Sequence, residues 1–212
     1  MNIKINNLTK EFNKNTIIDI KDFTFENNHI YGLYGRNGSG KTVLLKLLCG
    51  YYIPTTGEVL FNNINYNKLN RFPENTRAFI GAPCFYDDLN AFDNLEILAK
   101  IENKITNDDI NHALDIVNLN EGAKIFKNFS LGMKQKLGIA QALMENPEVI
   151  FLDEPFNGVE RESVDKICKY LKDQKNKIII ISSHIKDDLV DLCDTFITMD
   201  NGTIIEVATN DK

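Results

Sequence analysis

Apolar and polar positions alternate at the start of the chain, at Ile3, Ile5 and Leu8, and β character continues through Ile17, Ile18 and Ile20. Such period-2 stretches predict half-buried strands. The run 29–34 is apolar without alternation and stops at Gly35, as expected of a strand covered on both faces. Residues 40–49 then place Val43, Leu44, Leu47 and Leu48 along one face of a predicted helix, and Gly50 and Pro54 end it. Short strands are predicted at 58–61 and 77–80. The middle third changes to helical spacing. A helix is expected over 94–101. Thr106 and Asp109 form a capping box before Ile110, Ala113, Leu114 and Val117. Ser130 starts a long helix reaching about residue 145, stopped by Asn146-Pro147. Strands return at 149–152 and 178–181, with helices at 163–171 and 186–192. A hairpin turns at Asn201-Gly202 between 196–199 and 203–205. Alternating buried strands and helices predict an α/β fold with a largely parallel sheet, interrupted by a helical insert.

Composition adds exclusions. The 212 residues are 43% hydrophobic and 25% charged, with a formal charge of −6. That balance argues against a nucleic-acid backbone as main partner, which needs clustered Lys and Arg. The longest apolar run is far short of the ~20 residues of a membrane-spanning helix. The first residues carry no apolar leader and no lipidation motif. Cys49, Cys84, Cys168 and Cys193 have no CxxC spacing and no nearby His, so reduced thiols in a cytosolic chain are expected.

Gly35-Arg36-Asn37-Gly38-Ser39-Gly40-Lys41-Thr42 fits G-x-x-x-x-G-K-[ST] between a predicted strand and helix. A chance match in such a chain is on the order of 1%. Glycines let backbone N–H groups turn toward phosphate oxygens, and the helix N-terminus adds positive charge. Lys41 supplies a point charge for the β- and γ-phosphates. Thr42 offers a hard oxygen to Mg²⁺. The strand 149–152 ends in Asp153-Glu154; two carboxylates there are costly unless they face a polar site. Asp153 is expected to hold Mg²⁺ through water, and Glu154 to orient and deprotonate an attacking water.

With Phe129-Ser130-Leu131-Gly132-Met133-Lys134-Gln135 added, the chain resembles the ATP-binding subunits of ABC transporters over about residues 2–208. The heptad is similar to the family's L-S-G-G-Q signature in an S-L-G-M-K form common in antimicrobial-peptide and bacitracin-type export and resistance systems. Read locally, Ser130 caps a helix and Gly132 leaves its backbone open, which offers a hydroxyl and free N–H groups to an anion. The resemblance implies a single ABC ATPase domain over 1–212. Its P-loop NTPase, RecA-like α/β core, with an N-terminal antiparallel β-subdomain, takes residues 1–83 and 147–212. The helical insert takes 84–146. It also implies that Ser130 and Gly132 close over ATP held by a second subunit in an ATP-dependent homodimer or heterodimer. Phe12 would stack on adenine, and His184, after Ser182-Ser183, would contact the γ-phosphate. His29 and His112 read as surface residues. The implied partner is a separate transmembrane permease, docked near Phe85-Tyr86, with the chain cytoplasmic and membrane-bound only through that partner.

Two positions depart from the family pattern. The stretch Phe79-Ile80-Gly81-Ala82-Pro83-Cys84-Phe85-Tyr86 has no Gln or Glu where the family has a side chain reaching Mg²⁺ and the attacking water. A short deletion is the expected origin, and hydrolysis is expected to be slow or partner-dependent. Gly158-Val159-Glu160 has Glu where an Asp is usual for communication across the dimer. The alternatives are a soluble ATPase of the same fold acting on ribosomes, DNA or protein assembly, and a regulatory subunit with little hydrolysis.

Overall fold

The computed structural model describes residues 1–120 and 122–210. Nine strands and six α-helices follow in the order β1 (Asn2–Phe12), β2 (Asn15–Glu26), β3 (His29–Tyr34), α1 (Lys41–Leu48), β4 (Thr56–Phe61), β5 (Thr76–Phe79), α2 (Ala91–Glu102), α3 (Asn107–Ile116), α4 (Leu131–Leu143), β6 (Val149–Asp153), α5 (Arg161–Asp173), β7 (Ile178–Ser183), α6 (Asp187–Val190), β8 (Thr195–Asp200) and β9 (Thr203–Thr209). They form a three-stranded antiparallel sheet, β2-β1-β4, and a six-stranded sheet, β5-β6-β7-β3-β8-β9. The larger sheet is parallel except for β9, which pairs antiparallel with β8.

The unbroken apolar runs of the central strands have a direct cause. Val149 and Phe151 of β6, and Ile178 and Ile180 of β7, enter one core with α1 and the antiparallel sheet. Ile150, Leu152, Ile179 and Ile181 enter the other, with residues of α2, α3, α4 and α5. Successive side chains of a strand point to opposite faces, so a strand covered on both faces has no polar positions to spare.

Helices α2, α3 and α4 lie in sequence between the edge strand β5 and its neighbour β6. Arg77 of β5 ties this helical part to the sheet. Its guanidinium reaches Glu102 Oε1 at the end of α2 (2.9 Å) and pairs with the Glu145 carboxylate just past α4.

Three predicted boundaries shift, two for local reasons and one through a long-range bond. Helix α2 begins before residue 94 because Asn90 caps it, its Oδ1 accepting from Asp93 N–H at 2.9 Å. Helix α5 begins before residue 163, following Glu160 at the N-cap. The helix expected over 186–192 shrinks to Asp187–Val190. There Leu192 N–H and Cys193 N–H both donate to Leu189 O, and Asp194 N–H donates to Ile30 O at 2.8 Å, which turns the chain into the sheet.

Candidate active site

Strands β6, β7 and β3 are neighbours, and all three end on the same side of the parallel sheet. Ligand sites of open α/β sheets form at such carboxyl ends. The Gly35–Thr42 loop follows β3, Asp153-Glu154 close β6, and His184 follows β7. Segments far apart in sequence thus meet through strand order.

Within the loop Gly40 has φ +102°, and a Cβ there would lie 2.9 Å from Ile18 Cδ1. Only glycine fits this left-handed, tightly packed entry to α1. Gly202 N–H, in the β8–β9 turn, donates to Ser39 O at 3.0 Å, so that hairpin supports the loop from below. Arg36, Asn37 and Gly38 are exposed at its tip. Ser39 is buried, and its Oγ has no hydrogen-bond partner. Lys41, 6% exposed, donates from Nζ to the carbonyls of Gly35 (2.6 Å) and Arg36 (3.3 Å), with Glu154 Oε1 3.6 Å away. A buried ammonium held mainly by backbone carbonyls suits an anionic group that would give it a charged partner.

Asp153 and Glu154 face different partners. Thr42 Oγ1 donates to Asp153 Oδ2 at 2.8 Å, and Ser182 Oγ donates to Asp153 Oδ1 at 2.6 Å. Two hard oxygens side by side, one of them anionic, are the donor set for Mg²⁺, so the residues present fit that ion. The Ser182 hydroxyl also accepts from Glu154 N–H at 2.9 Å. Glu154 itself has φ +47°, a turn at the strand end. His184 Nδ1 lies 2.7 Å from Glu154 Oε2; the carboxylate accepts, so Nδ1 carries the hydrogen.

The remaining predicted residues lie away from these strand ends. Ser130 is exposed and caps α4, its Oγ accepting from Met133 N–H at 3.2 Å. Gly132 is not open as expected: it is buried, and a Cβ there would lie 2.2 Å from Gly158 O. The absent side chain therefore lets another loop pack against the helix. Phe12, 39% exposed, ends β1 with its ring edge-on to Tyr52 at 5.4 Å and Lys10 Nζ 5.0 Å from its centroid. His29 and His112 are exposed, as expected. Phe85 and Tyr86 divide: Phe85 packs on Phe126 at 5.4 Å, whereas Tyr86 is 63% exposed on a cleft of about 270 Å³ with Cys84, Asn94 and Leu98. Cys49 is buried, Cys168 half-buried and Cys84 exposed, each as a free thiol. Among the described residues no helix is long and apolar enough to cross a membrane.

Sequence reasoning gave no role to Ser182 or Lys136. Ser182 is the first hydroxyl after an all-isoleucine strand, a polar group with no place there unless something needs it. Lys136 lies four positions past Gly132, on the inward face of α4, and is 4% exposed. Its Nζ donates to Glu160 Oε1 at 2.6 Å and to Asn118 O at 2.8 Å.

Comparison with known proteins identifies the family. Residues 18–157 match the ABC transporter family. The chain is 39% identical over 206 residues to the ABC transporter ATP-binding protein YybJ of Bacillus subtilis (strain 168), covering 95% of this chain and 94% of that one. It is 35% identical to the bacitracin transport ATP-binding protein BcrA of Enterococcus faecalis, covering 96% and 68%, and 32% identical to the lantibiotic transport ATP-binding protein SrtF of Streptococcus pyogenes, covering 96% and 89%. Among solved structures, an ATP-binding subunit of an ABC transporter superposes with a TM-score of 0.87 at 22% identity, covering 100% of this chain and 91% of that one. A dimeric ATP-binding cassette in a post-hydrolysis state with ADP and Pi gives 0.87 at 19% identity, covering 99% of each. The chain belongs to the ABC transporter family and matches its ATP-binding subunits along almost its whole length.

Proposed function

We propose that this chain is the motor of an exporter: two copies close head to tail over two ATP molecules, and hydrolysis reopens them while a separate transmembrane permease moves the cargo. The observation that carries the reading is the position of Glu154, between Lys41 Nζ at 3.6 Å and His184 Nδ1 at 2.7 Å, one residue past the Asp153–Thr42 pair. Gly35, Asn37, Gly38, Ser39, Gly40, Lys41 and Thr42 hold the triphosphate. Thr42 and Asp153 would hold Mg²⁺, whose charge would offset that of the phosphate oxygens. Glu154 takes a proton from water as the water oxygen bonds to the γ-phosphorus and the bond to the β–γ bridging oxygen breaks. His184 keeps Glu154 oriented and meets the γ-phosphate. The half-exposed ring of Phe12 suits stacking on adenine, and the exposed Ser130 end of α4 suits the nucleotide of the sister copy. Export is favoured by the bacitracin and lantibiotic transport relatives. The chain would sit at the cytoplasmic face of the membrane through its permease, with no role for nucleic acid.

The test is Glu154→Gln. It keeps the shape and removes the base, so turnover falls by about 10²–10⁴, ATP still binds, and an ATP-bound dimer accumulates on size exclusion. Parent-like turnover would remove Glu154 from its role. A second reading, a regulatory subunit with little hydrolysis, is favoured by one observation: residues 80–86 carry no carboxylate or carboxamide. Phosphate release with and without the permease separates the two.

A further inference from the structure

Phe12, the ring suited to adenine, stands on a support built from two other segments. It ends β1 two positions past Lys10, so both side chains leave the strand on one face. Lys10 Nζ lies 5.0 Å from the centroid of the Phe12 ring and 5.7 Å from that of Tyr52. The two rings meet edge to face, with centroids 5.4 Å apart and planes at 70°. Phe12 lies outside both cores, whereas Tyr52 is half-buried against the core that holds α1. The loop that carries Tyr52 clamps the end of β1. Lys10 Nζ donates to Ile53 O at 2.8 Å, Thr55 N–H donates to Thr9 O at 2.9 Å, and Glu11 N–H donates to Thr55 Oγ1 at 2.9 Å. Its other side is tied to the helix of the phosphate loop. Tyr52 N–H donates to Lys46 O of α1 at 2.9 Å, and Lys46 Nζ lies 5.3 Å from the Tyr52 centroid. Tyr52 is thus the link between the Phe12 ring and the helix that begins at Lys41.

We infer that Tyr52 and Lys10 are positioning residues for the nucleotide base. The inference rests on the reading of Phe12 as the ring on which adenine stacks. Lys10 covers one face of that ring and Tyr52 meets its edge, which leaves the other face to a flat base. The ammonium is drawn to the π faces of both rings, and the edge contact adds to the area buried. A ring at a strand end with neither neighbour would have to give up rotamer freedom when the base arrives, and binding would carry that cost. Held in place beforehand, it does not. The tie to α1 adds a second effect. It sets the base-stacking face relative to Lys41 and Thr42, so the base and phosphate ends of one nucleotide are measured from the same helix. Neither Tyr52 nor Lys10 touches a reacting atom. A triphosphate without a base gains nothing from either.

The experiment titrates ATP and inorganic tripolyphosphate into the parent, Tyr52→Leu, Tyr52→Phe, Phe12→Ala and the Phe12→Ala/Tyr52→Leu double by calorimetry, and follows turnover against ATP concentration. Tyr52→Leu should weaken ATP binding by about 2- to 10-fold, the worth of one aromatic edge contact, and leave tripolyphosphate binding at the parent value. In turnover the loss should fall on KM rather than kcat. Tyr52→Phe keeps the ring and should match the parent. The double should bind ATP no more weakly than Phe12→Ala alone, because the support acts only through that ring. Equal losses for ATP and tripolyphosphate would mark a general lesion of the loop and overturn the proposal. So would a loss in Tyr52→Phe as large as that in Tyr52→Leu, or additive losses in the double. Should Tyr52→Leu fail to fold, Lys10→Met removes the ammonium from the ring and leaves both cores intact. It carries the same comparison, with an expected loss of about 2- to 5-fold for ATP alone. Phe12→Ala keeps the two levels apart. Weakened ATP binding in Phe12→Ala with parent-like Tyr52→Leu sinks the support alone; parent-like binding in Phe12→Ala sinks the stacking reading and the support with it.

Discussion

Asp153 and Glu154 are adjacent in sequence yet face different partners, and so suit the different roles proposed for them, because the strand ends between them. Asp153 is still in register on β6, opposite Ser182 of β7. Its carboxylate stays in the sheet layer and is fixed from both sides by Thr42 and Ser182. Glu154 has already turned, with φ +47°, and its side chain swings toward Lys41 and His184. Ser182 holds both halves of this arrangement, donating to Asp153 and accepting from the Glu154 N–H. Ser182→Ala should therefore loosen the metal-holding carboxylate and the base together. Loss of such an orienting partner typically costs about 10–100-fold. The expected outcome is that drop in magnesium-dependent turnover, with magnesium-free ATP binding retained in calorimetry. Equal turnover in the variant would mean that the β6 backbone alone sets the geometry. The acids and the cradle were legible in the sequence because their residue types are unusual in their setting. Ser182 was not, because what it touches depends on which strands are neighbours, and periodicity carries no information on strand order.

At the scale of elements, strands and helices with strong patterns were readable, and their joints were less so. The isoleucine run of β7 and the Ser130 start of α4 were visible because burial and capping act locally. The shortened α6 was not, since a distant bond, Asp194 N–H to Ile30 O, ends it. The joint of most consequence is the loop from β5 to α2. Arg77 fastens β5 to the ends of α2 and α4, so the loop spans a fixed gap with few residues, and it presents Gly81, Ala82 and Pro83 without a metal ligand. In the proposed site Thr42 and Asp153 would be the protein oxygens left to hold Mg²⁺. Inserting a Glu after Ala82 supplies another carboxylate and more reach. Basal phosphate release should rise, with no change in magnesium-free ATP affinity. An unaltered basal rate would show that the short loop is not what limits hydrolysis.

The whole molecule is two cores laid on opposite faces of one sheet. Phosphate chemistry is gathered at the strand ends, and the helical part is anchored at its far side by Arg77. In the proposed reading, force made at the ATP site would reach the permease through a surface on that helical part or its joint. The cleft of Cys84, Phe85, Tyr86, Asn94 and Leu98 lies where the joint enters α2. Its two aromatics differ in standing. Phe85 is committed to the interior through Phe126, so removing it would damage the insert itself. Tyr86 is largely free of the core, and its backbone is pinned: its N–H donates to Asn94 Oδ1 at 2.8 Å, and its carbonyl accepts from Asn94 Nδ2 at 3.2 Å. A rigidly held, exposed aromatic on an apolar cleft is the kind of group that anchors an interface. Burying such a ring against a partner contributes roughly 1.5–3 kcal/mol, which corresponds to about 10- to 100-fold in affinity. Tyr86→Asp should therefore weaken recovery with the permease by about that factor and abolish permease-stimulated turnover. Basal turnover and the urea unfolding midpoint should stay at parent values, because neither core loses an atom. Undiminished stimulation by the permease would place docking on another face, and the cleft would then be only the seam between sheet and insert.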